Sequence, residues 1–182
     1  MSNEQDFSHN DALSFLNLKG GLKNKLLAAH TAVQKNLPFI ARIAIALYDP
    51  QTKILKTYLH SSGVDNPLEH YQALIDKAPS LKEILDKGKS RVINNMLTFE
   101  DSDKKHHQRL GRQGYAASYT MPMFNNGDFF GFLFFNSYEK EVFTEKALEE
   151  LDLHGHLISL MLVNELSTIQ TLSAAIKTTS HM

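Results

Sequence analysis

The chain has 182 residues, of which 42% are hydrophobic and 21% charged, a length suited to one domain and a composition apolar enough to bury a core. Nineteen Lys and Arg against 20 Asp and Glu leave a formal charge of −1; no broad positive field exists to hold a phosphate backbone or an anionic lipid surface, so neither nucleic acid nor membrane is an expected partner. The absence of cysteine excludes disulfides, thiol nucleophiles, Cys-ligated zinc, iron–sulfur clusters and thioether-linked chromophores, and fits a reducing cytoplasm.

Residues Met1 to Asn10 are polar, unlike a secretory signal, and no apolar run approaches about 18 residues. Leu13, Phe15, Leu16 and Leu18 form a short helix-like cluster that Gly20-Gly21 interrupts. From Leu22 to Asn36 the apolar spacing predicts a helix with Leu22, Leu26, Leu27, His30 and Val33 on one stripe, closed by Pro38. Ile40 to Tyr48 and Lys53 to His60 then read as antiparallel strands joined by Asp49-Pro50-Gln51-Thr52. Simple alternation places Ile54, Lys56, Tyr58 and His60 on one face of the second strand, toward a cavity or solvent, and Leu55, Thr57 and Leu59 on the other.

Pro67 to Ala78 reads as a helix, and a further helix begins at Pro79-Ser80, where Ser80 and Glu83 have capping-box spacing, and ends at Gly88. A short strand, Ser90 to Asn94, leads into the polar stretch Asn95 to Gly114, with a helix expected around Asp103 to Leu110. Its basic run, Lys104-Lys105-His106-His107 with Arg109 and Arg112, stands beside Glu100, Asp101 and Asp103 and reads as a solvated helix face. Ala116 to Phe124 and Phe129 to Ser137 form a hairpin through Asn125-Asn126-Gly127-Asp128, whose Asn-Gly pair accepts the positive φ angles of a tight turn. In its second strand Phe129, Gly131, Leu133 and Phe135 alternate with Phe130, Phe132, Phe134 and Asn136, so both faces are apolar and the strand is central, covered by helices on both sides.

From Thr144, an N-cap, to about Thr178 a single long helix is expected. Leu148, Leu151, Gly155, Ile158, Leu162, Glu165, Ile169, Leu172 and Ile176 fall at steps of three and four, the seam of a two-helix coiled coil, with Gly155 and Glu165 as its weak points. Leucine at Glu165 would tighten that seam. Leu153, Leu157, Leu160, Met161 and Val163 widen the stripe so that the first half also packs on the sheet.

This order of elements, with Ile43-Ala44-Ile45-Ala46-Leu47-Tyr48-Asp49, Ser80-Leu81-Lys82-Glu83-Ile84-Leu85 before Arg91-Val92-Ile93-Asn94, and Ser118-Tyr119-Thr120-Met121-Pro122-Met123-Phe124 through the Gly127 turn to Gly131, resembles GAF domains from about Leu22 to Leu162. The tail from Glu165 to Met182 resembles the helix leading into HD-GYP phosphodiesterase domains, which hydrolyse cyclic di-GMP; the His-Asp pair and Gly-Tyr-Pro motif of those domains are absent, so no hydrolase activity is carried over. The resemblance implies an α+β fold, GAF-like and PAS-like, with a central antiparallel sheet, helices on both faces and a long C-terminal signalling helix. It divides the chain into a polar segment with a short helix (1–19), a sensory domain (20–162) and a linker helix (163–182).

A small ligand would lie between the sheet and the segment Pro67–Gly114. The polar residues placed near it are Tyr58, His60, Asn94, Arg109, Tyr115, Ser118, Thr120 and Asn136; the alternative leaves Ser118, Thr120 and Asn136 as ordinary strand positions and exposes His60 and Arg109. The cofactor is unknown. Asn94-Asn95 with Phe99, Glu100 and Asp101 lacks the lysine and the acidic-pair placement of cyclic-nucleotide-binding members, the missing cysteine removes the usual bilin link, and no apolar-framed histidine invites haem. His106-His107 and His154/His156 have the wrong steps for a metal site. No hydrolase elbow, phosphate loop or His-Glu-x-x-His pair occurs, so the chain is expected to be a regulatory, non-catalytic module, a homodimer through its N- and C-terminal helices. A ligand-free structural dimerisation domain is the alternative.

Overall fold

The computed structural model describes residues 9–63, 72–98 and 114–167. A 3-10 turn, Ser14–Asn17, precedes α1 (Leu22–Asn36). Then come β1 (Ile40–Asp49), β2 (Ile54–His60), β3 (Gln72–Leu74), α2 (Pro79–Lys87), β4 (Arg91–Ile93), β5 (Ala117–Asn125), β6 (Asp128–Ser137) and α3 (Glu145–Leu166). The strands form one antiparallel sheet of order β3-β2-β1-β6-β5-β4. β6 is central, as its two apolar faces require.

Local chemistry accounts for most boundaries. Asn126 and Gly127 take φ of 50° and 87°, giving the tight turn that pairs Asn125 with Asp128. Gly88 stops α2 with φ of 60°. The Asp49 carboxylate accepts hydrogen bonds from Gln51 N (3.0 Å) and Thr52 Oγ1 (2.9 Å), closing the β1–β2 turn. Thr144 caps α3 by accepting from Ala147 N at 3.3 Å.

The two faces of the sheet are covered differently. Against one lie α1 and α3, packed on Ile43, Ile45, Leu47, Tyr119, Met121, Leu133 and Phe135. Against the other lies α2, whose Leu81 and Ile84 meet Ala44, Ala46, Leu55, Phe132 and Phe134. Burying an aromatic or branched side chain stabilises the fold by roughly 1.5–3 kcal/mol, and β6 contributes to both clusters, which makes it the axis of the core. α3 crosses the sheet closely at Gly155, where an added Cβ would lie 2.4 Å from Met121 Sδ. Likewise Gly131 lets β6 approach β1: a Cβ there would lie 2.2 Å from the Ala46 carbonyl oxygen.

The structure corrects several expectations. The part of Pro67–Ala78 that is described is not helical: residues 72–74 form β3 along the edge of β2, followed by a 3-10 turn, Ile75–Lys77. The unpaired edge of β2 offers a ladder that outweighs local helix propensity. Alternation fails in β2, because Ile45 opposes Leu59 while Ala46 opposes Thr57. The bulge at Tyr58 turns Tyr58 and Leu59 toward the α1/α3 cluster and leaves His60 opposite Ala44 on the other face. A second irregularity, between Met123 and Phe124, exchanges the faces of Phe129 and Phe130, which join the α2 and α1/α3 clusters respectively. Ser80 is not the N-cap that a capping box with Glu83 requires: Ala78 holds that position, Pro79 with its preset φ begins α2, and Ser80 is buried in the first turn.

The seam of α3 is also reassigned. Leu151, Gly155, Ile158 and Leu162 are buried against the chain's own sheet, and Leu153, Leu157 and Leu160 are the leucines left exposed. Glu165 faces α1, where Lys25 Nζ donates to its Oε1 at 2.5 Å. The expected helix at 103–110 and the seam positions Ile169, Leu172 and Ile176 lie outside the described residues. None of the described helices is long and apolar enough to cross a membrane.

Candidate functional site

Directly opposed residues of antiparallel strands share a face, so the register builds two polar-bearing rows across the α2 side of the sheet. One row runs His60, Ala44, Phe134, Thr120, Arg91; the next runs Arg42, Asn136, Ser118, Ile93. Arg42 is 3% exposed and Asn136 fully buried. Arg42 Nη1 donates to Asn136 Oδ1 at 3.3 Å, and Asn136 Nδ2 donates to Ser118 Oγ at 3.1 Å. A buried guanidinium is costly unless its donors are engaged, and the planar fork favours amide and carboxylate oxygens. The chain from Arg42 to Ser118 therefore sets the Asn136 amide in one orientation and holds a positive charge beneath the sheet surface.

The surroundings extend this network. Tyr115, 4% exposed, stacks on Tyr138 with ring centroids 4.8 Å apart and packs with Ile93 and Met96 at the end of the second row. Burial pushes its phenol up to about 12, while the positive charge of Arg42 opposes the shift. His60 is buried, contrary to the exposed alternative, and its Nδ1 shares a 2.6 Å hydrogen bond with the Ser62 hydroxyl. Its carbonyl accepts from Lys23 Nζ at 2.6 Å, tying the end of β2 to α1.

Of the residues expected at a ligand site, His60, Ser118, Thr120 and Asn136 share one face and Tyr115 closes its end. Tyr58 stands on the opposite face, where burial raises its pKa and the Glu165 charge adds to the shift. Asn94 clasps the segment before α3: Oδ1 accepts from Phe143 N at 3.0 Å, and Nδ2 donates to Phe143 O at 3.3 Å. Arg109 lies outside the described residues. Arg42 escaped the reading of the sequence. Its signal was a lone charge inside the apolar run Ile40 to Tyr48, in phase with the small residues Ala44 and Ala46, but a charged residue in a strand reads first as solvent-facing.

The helix-covered face has different chemistry. The Tyr119 hydroxyl bonds the Asp152 carboxylate of α3, and burial, then that bond, pushes its pKa to about 12. His30 Nε2 donates to the Ile40 carbonyl at 2.7 Å, and since a carbonyl only accepts, Nε2 carries the proton. Desolvation lowers the pKa of this histidine although the Ile40 bond opposes the shift, which keeps the ring neutral and structural. Among the described residues no three His, Cys, Asp or Glu side chains converge as a metal site would require.

One antiparallel sheet with a helix pair on one face, and a short helix and a polar network on the other, places the chain in the α+β class. It belongs to the GAF domain family, whose match covers residues 26–163. The fold is similar to the phycocyanobilin-bound GAF domain of a cyanobacterial phytochrome, with 20% identity, 82% of this chain and 88% of that chain covered and a TM-score of 0.61. It is also similar to the GAF domain of a phosphoenolpyruvate-protein phosphotransferase from Coxiella burnetii, with 14% identity, coverage of 88% and 93% and a TM-score of 0.67. A GAF domain/HD domain protein from Geobacter sulfurreducens gives 14% identity, coverage of 81% and 95% and a TM-score of 0.61. None of the curated proteins compared matches the chain in sequence. GAF domains are sensory domains, and small ligands such as bilins are among those they bind.

Proposed function

We propose that the chain is a regulatory sensory domain that takes a small ligand on the α2 side of its sheet and passes the change through α3 to an output domain. The buried polar network Arg42–Asn136–Ser118, flanked by Thr120 and His60, carries this reading. The opposite face is packed with apolar side chains, so the concentration of donors and acceptors on this one is the feature that recognition of a polar ligand needs. The output we infer is an HD-GYP cyclic di-GMP phosphodiesterase, on the tail resemblance and on the similarity to the Geobacter sulfurreducens GAF domain/HD domain protein. Two copies would act side by side in the cytoplasm, with residues 20–162 as the sensor and 163–182 as the linker.

A second reading has its own observation: Phe132 and Phe134 fill much of the same face, as a ligand-free dimerisation module would require. Thermal-shift titration with a panel of nucleotides and small organic acids separates the two. The sensory reading expects a compound that raises Tm of the native chain and shifts Asn136→Leu by less than half as much. No shift from any compound, or equal shifts in both proteins, overturns this site and favours the scaffold.

A further inference from the structure

α3 carries two rows of large apolar residues, and its own sheet covers only one. The uncovered row consists of Leu153, 70% exposed, Leu157, 42%, and Leu160, 66%, with exposed Asn164 one step further on. The steps are four, three and four. Leu153 and Leu160 therefore occupy the d positions of a heptad, and Leu157 and Asn164 the a positions. We propose that this row is the homodimer interface, a parallel two-stranded pairing of α3 with α3 of a second copy. The proposal rests on the two-copy reading above and relocates its contact from the buried seam to the outer row.

Three observations favour a second copy of this chain over another occupant. The row is self-complementary: a two-fold axis along α3 sets each leucine against its own counterpart, and leucine at d with a single asparagine at a selects two parallel strands in one register. From Leu153 to Asn164 there is no Asp, Glu, Lys or Arg, so two identical helices meet without like-charge repulsion, whereas a partner chosen by charge would find nothing to read. The remaining argument is one of area. A standard interface buries about 800 Å² per partner, more than three leucines supply, and the same layer holds Phe15, Leu18 and Leu27, exposed as well. Leu18 and Asn164 line one open groove of about 350 Å³, so the leading 3-10 segment lies at the end of the row where the pairing would need to be extended.

Sedimentation of the native chain and of Leu153→Glu/Leu160→Glu tests the interface, with circular dichroism to verify that the variant folds, as substitutions at exposed positions should permit. The native chain is expected at twice its 20.6 kDa mass and the variant at the single-chain mass. The chain has no cysteine, so Leu160→Cys gives a background-free second measurement: oxidation is expected to link residue 160 to its counterpart, with Lys87→Cys on α2 remaining unlinked. A native dimer that the double variant leaves intact overturns this row while the two-copy reading stands. A native chain that is monomeric overturns both, and one that is monomeric but sediments with phosphatidylcholine vesicles assigns the row to a lipid surface instead. Efficient linkage through Leu157→Cys but not Leu160→Cys overturns the parallel register.

Discussion

Gly131 shows how one missing side chain decides a strand pairing. It stands opposite both Leu47 and Met123, and the site its Cβ would take is within 2.2 Å of the Ala46 carbonyl oxygen. That neighbour is backbone and cannot swing aside, so Gly131→Ala must part β1 from β6 locally. Overpacking of this kind costs about 1–3 kcal/mol, which outweighs the entropy that alanine removes from the unfolded chain, about 0.4–1 kcal/mol. Urea unfolding should show a lower midpoint with an unchanged slope; a midpoint at or above that of the native chain would refute the close approach. Asn136 and Arg42 pose the same question for polar groups, because each satisfies part of the other and neither could be judged from its strand position alone.

At the scale of the elements, α3 and the sheet meet where a small residue faces a flexible one. Gly155→Ala should gain about 0.8–1 kcal/mol of helix propensity, but its Cβ would lie 2.4 Å from Met121 Sδ and 3.3 Å from Leu133 Cδ2. Met121 is buried and its end cannot swing into solvent, so in the native background the steric cost of about 1–3 kcal/mol outweighs that gain and the substitution should destabilise by up to about 2 kcal/mol. With Met121→Ala the obstacle is gone and Gly155→Ala should become neutral or stabilising. A double-mutant cycle by denaturant unfolding checks this coupling, and additive effects would place the glycine elsewhere than at a tight contact. Bulges act at the same scale: one extra residue at Tyr58 redirects that side chain to the helix face and brings His60 to the polar one.

Across the whole molecule, α1 and α3 run antiparallel, joined near one end by Asn36 Nδ2 donating to Glu150 Oε1 at 2.8 Å and at the other by the Lys25–Glu165 pair. The Lys25 side chain is 8% exposed and that of Glu165 is 29%, so removing either partner leaves a largely buried charge. Breaking fully buried pairs costs about 3–5 kcal/mol, and partial exposure here reduces that to roughly 1–3 kcal/mol. Glu165→Leu is accordingly expected to loosen the exit of α3, not to tighten a seam, and amide exchange in the last turns of the helix should quicken. Lys25→Met combined with Glu165→Leu should restore protection, since replacing both charges removes the unpaired one. Slow exchange in the single variant would return Glu165 to an intermolecular role.

Elements with local causes were legible in the sequence: α1 by its apolar spacing, the β5–β6 hairpin by Asn126-Gly127, the end of α2 by Gly88 and the start of α3 by Thr144. So was the central place of β6, because a strand apolar on both faces has no stable position at an edge. Only the tertiary structure decided β3, the two bulges, the depth of Arg42 and which row of α3 the sheet covers. Each depends on a partner distant in sequence: an open strand edge, a neighbouring register, an amide on another strand, or the room that Gly155 leaves over Met121. Composition bounded the chemistry and periodicity found the elements. Which of two equally periodic faces is buried is settled only when the layers meet.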